Sequence, residues 1–385
     1  MYLPEGAKLI IDRLRRHGYR GDIVGGCVRD NLLSLVPYDY DITTSATPEE
    51  MQAVFSDMRT IETGLKHGTL TVIYNGEPYE VTTYRLDGEY TDNRHPDSVS
   101  FTRELSLDLS RRDFTVNAMC YNDEFGITDL FGGREDLAAG IIRAVGEPSK
   151  RFTEDALRIL RALRFAATLD FTIEKETAQA IRLTAHLIKN VSRERVMVEW
   201  TKLLSGVGAY RIISEYFDVL SGVIPNITLS HVPSESAFLG ESAAVRELSL
   251  FDTADDFDFA MKKLRSDNRR RIHGALVLSH ADCPTDSLTA IKLLLVDTSP
   301  EVVRDVCALK RLRYAIDNED LLSEALRPPV CYEISHLALR GDDLKALGFV
   351  GKEIGNMLNL LLHEVAKGNV ENDPDSLRAF LSSIK

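Results

Sequence analysis

The chain has 385 residues, a formal net charge of −13 and a hydrophobic fraction of 44%, figures that suit two to four folded domains and argue mildly against a nucleic-acid binder. No run is long and apolar enough for a membrane-spanning helix. The five cysteines (Cys27, Cys120, Cys283, Cys307, Cys331) are scattered without a CxxC, which points to a reducing compartment and away from a zinc site. Charge is uneven: residues 151–200 hold nine Lys and Arg against seven Asp and Glu, a local cationic strip or simply a solvated helical face.

The opening "MYLPEGAKLIIDRLRRHGYRGD" reads as an amphipathic helix with charges throughout, not as a signal peptide. "GDIVGG" reads as a strand, "CVRDNLLSL" as a helix and "YDYDITTSA" as a strand. Thr47 and Pro48 open a helix in "TPEEMQAVF" as cap and first residue. "TLTVIYNG" and "PYEVTTYR" are strands around the turn residues Asn75 and Gly76. From Glu154 onward the apolar spacing is helical almost to the end, and neither internal repeats nor low-complexity segments occur. The pattern predicts an α/β head of about 146 residues and an all-helical remainder, with soft boundaries near "VGEPSKRF", "SGVIPNITLSHVPSES" and "ALRPPVCYE".

Asp39 and Asp41 share a face of the third element, because strand side chains alternate. Two carboxylates on one face repel each other, and a divalent metal is the simplest cation to sit between them. Gly25 and Gly26 join strand to helix, where backbone without Cβ can approach a phosphate, and Arg29 follows within the first turn. A tight turn followed by a solvated acidic strand end would look similar. A glycine pair or a DxD alone is a weak signal; GG-x-V-R-D with DxD nine residues after Asp30 is far more specific.

This segment resembles motif A of the class II tRNA nucleotidyltransferases, the CCA-adding enzymes and bacterial poly(A) polymerases. Further segments match in order: "RRDFTVNAM" (Arg111–Met119) resembles motif B, "DLFGGREDLAAGIIRAVG" (Asp129–Gly146) motif C, "EDALRILRALRFA" (Glu154–Ala166) motif D and "SRERVMVEWTKLL" (Ser192–Leu204) motif E. The stretch from Gly341 to Asn372 resembles the family's tail, and only Ser205 to Leu326 carries no motif. Ser34 stands where the family usually has Gly, and Tyr38 where it has a basic residue. The resemblance implies an α+β fold. Residues 1–146 would be a polymerase-beta-like nucleotidyltransferase head with a mixed sheet and helices. A helical neck (147–205) would recognise the base, followed by a helical body (206–326) and a helical tail (327–385) that binds tRNA.

It also implies site residues. Glu80 in "YEVTTYR" would be a third catalytic carboxylate beside Asp39 and Asp41, buried on a central strand, unless it is merely an exposed strand residue. Arg112 is a candidate triphosphate contact. Asp113 and Asn117, four apart, would hold the ribose or order the pocket, or cap the core. Asp155 and Arg158 share a helical face three residues apart, with Ala156, Ile159, Leu160 and Leu163 buried. A carboxylate accepts from the amino group of C or A while Arg donates to the adjacent ring nitrogen; U and G present the opposite order. The bland alternative is a surface ion pair. Arg161 and Arg164 extend the cationic strip toward the base pocket or the RNA backbone, and Glu194 and Arg195 of motif E suit bracing of the neck.

"RLDGEYTDNRHPDSVSF" matches the RxDxxYxDxRxP flexible loop of complete CCA-adding enzymes at Arg85, Asp87, Tyr90, Asp92, Arg94 and Pro96, and "TGLKHGTLTV" (Thr63–Val72) is also of the CCA type. The histidines show no H…HD…D series, so no phosphohydrolase domain is expected. The resemblance therefore implies addition of CCA to tRNA from CTP and ATP with two Mg²⁺ ions and pyrophosphate release. It implies contacts to the tRNA acceptor stem and elbow, a cytoplasmic setting, and neither a membrane nor an obligate protein partner. An A-adding or CC-adding relative, a bacterial poly(A) polymerase and a non-catalytic RNA-binding protein are the alternatives.

Overall fold

The computed structural model describes residues 1–88, 99–232 and 234–384. They form two compact units, Met1–Val223 and Ile224–Lys385. The first opens with α1 (Glu5–Arg16), whose Ala7, Ile10, Ile11 and Leu14 stripe is buried. Then come β1 (Gly21–Val24), α2 (Gly26–Leu32), β2 (Ile42–Thr44), α3 (Pro48–Val54), β3 (Thr60–Ile61), β4 (Thr69–Tyr74) and β5 (Glu77–Thr83). Thr47 and Glu50 close a capping box on α3, as the "TPEE" signal foretells. Strands β6 (Arg85–Asp87) and β7 (Val99–Phe101) pair as a small antiparallel ribbon. After α4 (Leu105–Ser110), β8 (Met119–Asn122) and β9 (Gly126–Asp129) complete a seven-stranded sheet of order β3-β4-β5-β2-β1-β8-β9. Only β2 and β5 run parallel, so the sheet is mixed.

One expected strand is much shorter than its sequence suggests. "YDYDITTSA" is in the ladder only at Ile42–Thr44, and Asp39 and Asp41 lie in the segment leading into it. Pro37 has no amide hydrogen to give a ladder. Even so, the Val24 amide donates to the Asp41 carbonyl at 2.9 Å, which pins that lead-in to β1. Ser34 takes φ 58°, a left-handed turn that explains the family's glycine there. On β1, fully buried Asp22 accepts from Arg20, Tyr84 and Asn122, so its charge is matched and its oxygens are satisfied.

The unit continues through α5 (Gly133–Ala139), β10 (Ile141–Ile142), α6 (Pro148–Glu154), α7 (Leu157–Leu169), β11 (Thr172–Ile173), α8 (Lys175–Thr184), α9 (Arg193–Leu204), α10 (Ala209–Glu215) and α11 (Phe217–Ser221). Helix α7 packs on α9, and α6 on α8. The second unit is helical throughout its described residues: α12 (Glu235–Leu239), α13 (Ala243–Ser249), α14 (Ala254–Lys263), α15 (Asn268–Ser279), α16 (Leu288–Asp297), α17 (Pro300–Tyr314), α18 (Glu319–Ala325), α19 (Gly341–Ala346), α20 (Lys352–Ala366) and α21 (Pro374–Ser383). Helices α13 to α17 each start at a Ser, Thr or Asp whose side chain accepts from the amide three residues on. Leu344, Phe349, Leu358, Leu361 and Leu377 form a core joining α19, α20 and α21. No helix among the described residues is long and apolar enough to cross a membrane. All five cysteines are free.

Candidate active site

The sheet order sets the site. At the end of β1, Gly25 adopts φ 79° and ψ −126°, which side-chain-bearing residues rarely hold. A Cβ built there would lie 3.1 Å from Arg112 Nη1, so the missing side chain lets that guanidinium overhang the turn. Arg112 is held from behind by Asp108 at 3.4 Å, and its buried Nε has no hydrogen-bond partner. The parallel β2–β5 register pairs Ile42 with Val81, which makes Asp41 and Glu80 lateral neighbours. Glu80 is exposed, not buried as expected, because it alternates with buried Val81. Asp41 is open to solvent yet crowded by protein. That partial burial, then the negative charges of Asp39 and Glu80, against the pull of Arg112, push its carboxyl up to about 6. Asp41 thus feels Asp39, Glu80 and Arg112 electrostatically. Among the described residues, no three His, Cys, Asp or Glu side chains close into a metal cage.

A polar chain links this corner to the helices behind it. Arg29 Nη1 donates to Asn117 Oδ1 at 2.6 Å, and Asn117 Nδ2 donates to Asp113 Oδ1 at 3.1 Å. Asp113 Oδ2 accepts from Arg161 of α7 at 2.8 Å. Arg164 pairs with Glu199 of α9 at 2.8 Å. The guanidiniums of Arg29, Arg161 and Arg164 all lie over the Phe165 ring. Burial alone would raise the Asp113 carboxyl, but Arg161 and the Asn117 hydrogen bond outweigh it and hold it at about 2. A folded value below the unfolded one contributes stability that is complete above about pH 4 and lost as pH falls toward 2. Asp113→Asn is therefore expected to lower stability by about 2 kcal/mol at pH 7. The gap to wild type in denaturant unfolding should close between about pH 4 and pH 2. A gap independent of pH would mean the ion pair adds nothing.

Asp155 and Arg158 sit where a helix breaks. Motif D is not one helix: α6 ends at Glu154, Asp155 is extended (φ −134°, ψ 104°), and α7 starts at Leu157. Asp155 Oδ1 accepts from the Leu157 amide at 3.0 Å, capping α7, and Oδ2 accepts from Arg195 of α9 at 2.9 Å. Arg158 is buried and donates to Glu154 at 2.8 Å and to the Arg111 carbonyl at 3.0 Å. The surface ion pair of the bland alternative is replaced by separate partners on either side. Ala156, Ile159, Leu160 and Leu163 are buried as expected. Of the loop residues, Arg85 and Asp87 lie on β6, while Tyr90, Asp92, Arg94 and Pro96 fall outside the described residues.

Sequence reasoning missed Asp108. Fully buried, it accepts from Arg111 at 2.7 Å, Thr43 at 3.2 Å and the Arg85 amide at 3.4 Å, besides Arg112. It joins the strand after the aspartates, the arginines of motif B and the root of the ribbon. Its spacing of three and four residues before Arg111 and Arg112 on a helix was the available signal. The partnership of Arg195 with Asp155 was missed too, although a bracing role was foreseen.

Two family models match the chain: "Poly A polymerase head domain" over residues 22–143 and "Probable RNA and SrmB- binding site of polymerase A" over residues 170–219. The CCA-adding enzyme of Ligilactobacillus salivarius is 34% identical over 387 residues, covering 96% of this chain and 93% of the relative. The chain belongs to the CCA-adding enzymes. The CCA-adding enzyme of Geobacillus stearothermophilus is 51% identical over 205 residues, covering 53% of this chain and 50% of the relative. The crystal structure of the Bacillus stearothermophilus CCA-adding enzyme in complex with CTP superposes with a TM-score of 0.75 at 30% identity, covering 100% of this chain and 98% of that one. The Thermotoga maritima CCA-adding enzyme complexed with tRNA_CCA gives 0.72 at 21% identity over 98% of this chain and 95% of that one, a likeness of fold. As a member of the CCA-adding enzymes, the chain is a nucleotidyltransferase, and its mixed-sheet head is the polymerase-beta-like fold.

Proposed function

We propose that this enzyme adds C, C and A in turn to the 3′ end of tRNA from CTP and ATP, releasing pyrophosphate in the cytoplasm. The observation that carries the reading is the corner where burial and the negative charges of Asp39 and Glu80 push the Asp41 carboxyl up against the pull of Arg112, whose guanidinium overhangs the Gly25 turn. Relatives solved with CTP and with tRNA_CCA support the substrates. Hard carboxylate oxygens short of cationic charge suit Mg²⁺, which binds one or two carboxylates plus substrate phosphates in place of an all-protein cage. Asp39 and Asp41 would hold two such ions, with Glu80 beside them; bound there, the metal would lower the pKa of the attacking hydroxyl and neutralise charge on the leaving group. Gly25 and Gly26 leave room for the triphosphate, Arg29 and Arg112 neutralise it, and Asp113 and Asn117 order that wall. The tRNA 3′-hydroxyl gives its proton to solvent as its oxygen bonds to the α-phosphorus, the bond from that phosphorus to the oxygen bridging the β-phosphate breaks, and pyrophosphate leaves with that oxygen.

Asp155 and Arg158 read the base edge, supported by Arg161 and Arg164. Cytosine and adenine differ in size, so the pair must be re-aimed between steps, a task we assign to the Arg85–Pro96 segment. Residues 1–146 act as the catalytic head and 147–205 as the base-reading neck. The body (206–326) and tail (327–385) take the tRNA acceptor stem and elbow by shape and phosphate contacts. The test is incorporation on tRNA lacking its 3′ CCA, with each NTP alone and in pairs, resolved at single-nucleotide length. CTP plus ATP should yield complete CCA and UTP or GTP nothing. Arrest after CC, addition of A alone or poly(A) growth would replace the reading with a partial-specificity relative or a poly(A) polymerase.

A further inference from the structure

One aromatic ring receives three arginines. Phe165 lies in α7, only 5% exposed, and its ring meets that of Phe114 edge to face with centroids 5.8 Å apart. The Arg164 guanidinium stands 3.5 Å from the Phe165 centroid, that of Arg29 5.0 Å and that of Arg161 5.3 Å. Like charges gathered this closely repel, but each has a carboxylate of its own: Glu199 for Arg164, Asp30 for Arg29 and Asp113 for Arg161. The ring is therefore not needed for neutrality, and what it adds is placement. Arg161 and Arg164 share a helix with Phe165, whereas Arg29 comes from α2, far earlier in the chain. Arg29 donates to Asp30 at 2.8 Å and to Asn117 at 2.6 Å, and the Phe165 ring lies beneath it. A Cβ built on Gly26 would lie 3.7 Å from Arg29 Nη2, so the guanidinium is presented at the glycine turn.

We propose that Phe165 is a positioning residue for nucleotide binding, its ring holding Arg29 at the glycine turn from the same helix that carries Arg158. The proposal rests on the reading that Arg29 neutralises the triphosphate. The negative face of an aromatic ring attracts a guanidinium, and more strongly where water is excluded. Arg29 is 9% exposed and Phe165 less, so the contact is a dry one. An arginine stem is long and rotatable, and a platform under its head limits what that head can sweep. Phe165 acts through Arg29, so it is not a catalytic residue. CTP and ATP carry the same triphosphate, and a contact made before and during the reaction alike shows in KM and leaves kcat alone. The loss should therefore fall on both nucleotides equally.

The experiment replaces Phe165 in the full-length enzyme by mono-, di- and trifluorophenylalanine. Fluorine drains the negative face of the ring stepwise, and it leaves the shape nearly unchanged and the core filled. KM and kcat are measured for CTP on tRNA lacking CCA and for ATP on tRNA ending in CC. Inhibition by inorganic pyrophosphate serves as a probe that has no base. Both KM values and the pyrophosphate inhibition constant should rise together along the series, by about fivefold at the trifluoro ring, with kcat within about twofold. Phe165→Leu, which keeps an apolar side chain without a ring, should match the trifluoro protein. A ring that only fills the core would leave all three constants level. In an Arg29→Ala background the series should lose its effect, because the cation it acts on is gone. A series that persists there runs through Arg161 or Arg164 and overturns the proposal. So does a fall in kcat at constant KM, or a rise for the nucleotides that pyrophosphate does not share. Arg29→Ala alone separates the two ideas. Wild-type KM and pyrophosphate inhibition in that variant sink the triphosphate reading; raised constants there, with a level fluorine series, sink the role of Phe165 alone.

Discussion

Replacing either Asp39 or Asp41 with alanine is expected to remove incorporation of C and of A alike, on the order of 10³-fold or more. Nucleotide binding should weaken far less, because Arg29, Arg112 and the Gly25 turn remain. The reason is the charge balance of the corner. Partial burial and the negative charges of Asp39 and Glu80 push the Asp41 carboxyl up to about 6, so a cation placed there would be favoured. On the proposed reading, removing one carboxylate takes away a ligand that would hold the ion and leaves the surface that would hold the triphosphate. Single-turnover incorporation with Mg²⁺ and equilibrium binding of CTP distinguish the two. Near wild-type turnover in either variant would remove the metal role, and equal loss of binding and turnover would recast the aspartates as a phosphate-site scaffold.

The second large effect concerns base choice. Asp155→Asn and Arg158→Gln should each relax discrimination against UTP and GTP by on the order of 10²-fold, because a mismatched edge leaves buried polar groups unpaired. Asn at 155 still offers an oxygen to cap the Leu157 amide, which Ala would not, so the change tests recognition more than helix stability. Arg158 is the riskier position, since it also ties Glu154 to the Arg111 carbonyl. Ratios of kcat/KM for the four nucleotides carry the result, and uniform slowing of all four would assign both residues a scaffolding role.

What the sequence displayed was the local grammar. The Thr47–Glu50 box, the strand and helix around Gly25 and Gly26, and the buried face of α7 could be read from spacing alone, because each depends on neighbours a few residues away. What it concealed is set by partners far along the chain. Glu80 looks like a buried central-strand residue until the register of β5 shows which face it takes. Asp155 and Arg158 look like a pair on one helix. The helix breaks between Glu154 and Leu157 because Asp155 caps the second segment and Arg195, forty residues on, takes its other oxygen. Asp108 gave a short-range hint toward its arginines but none toward Thr43, sixty-five residues earlier.

On the proposed reading of Asp155 and Arg158, the break at Asp155 stores base choice as helical phase. Asp155 stands two residues before α7 begins, and Arg158 is the second residue of that helix. Each residue of an α-helix advances the side chain by about 100°. A single inserted residue between them would swing Arg158 a quarter-turn or more out of line with Asp155, leaving both side chains present and the composition of the pocket unchanged. On that reading, the instruction that a template strand would write as a base is written here as an angle.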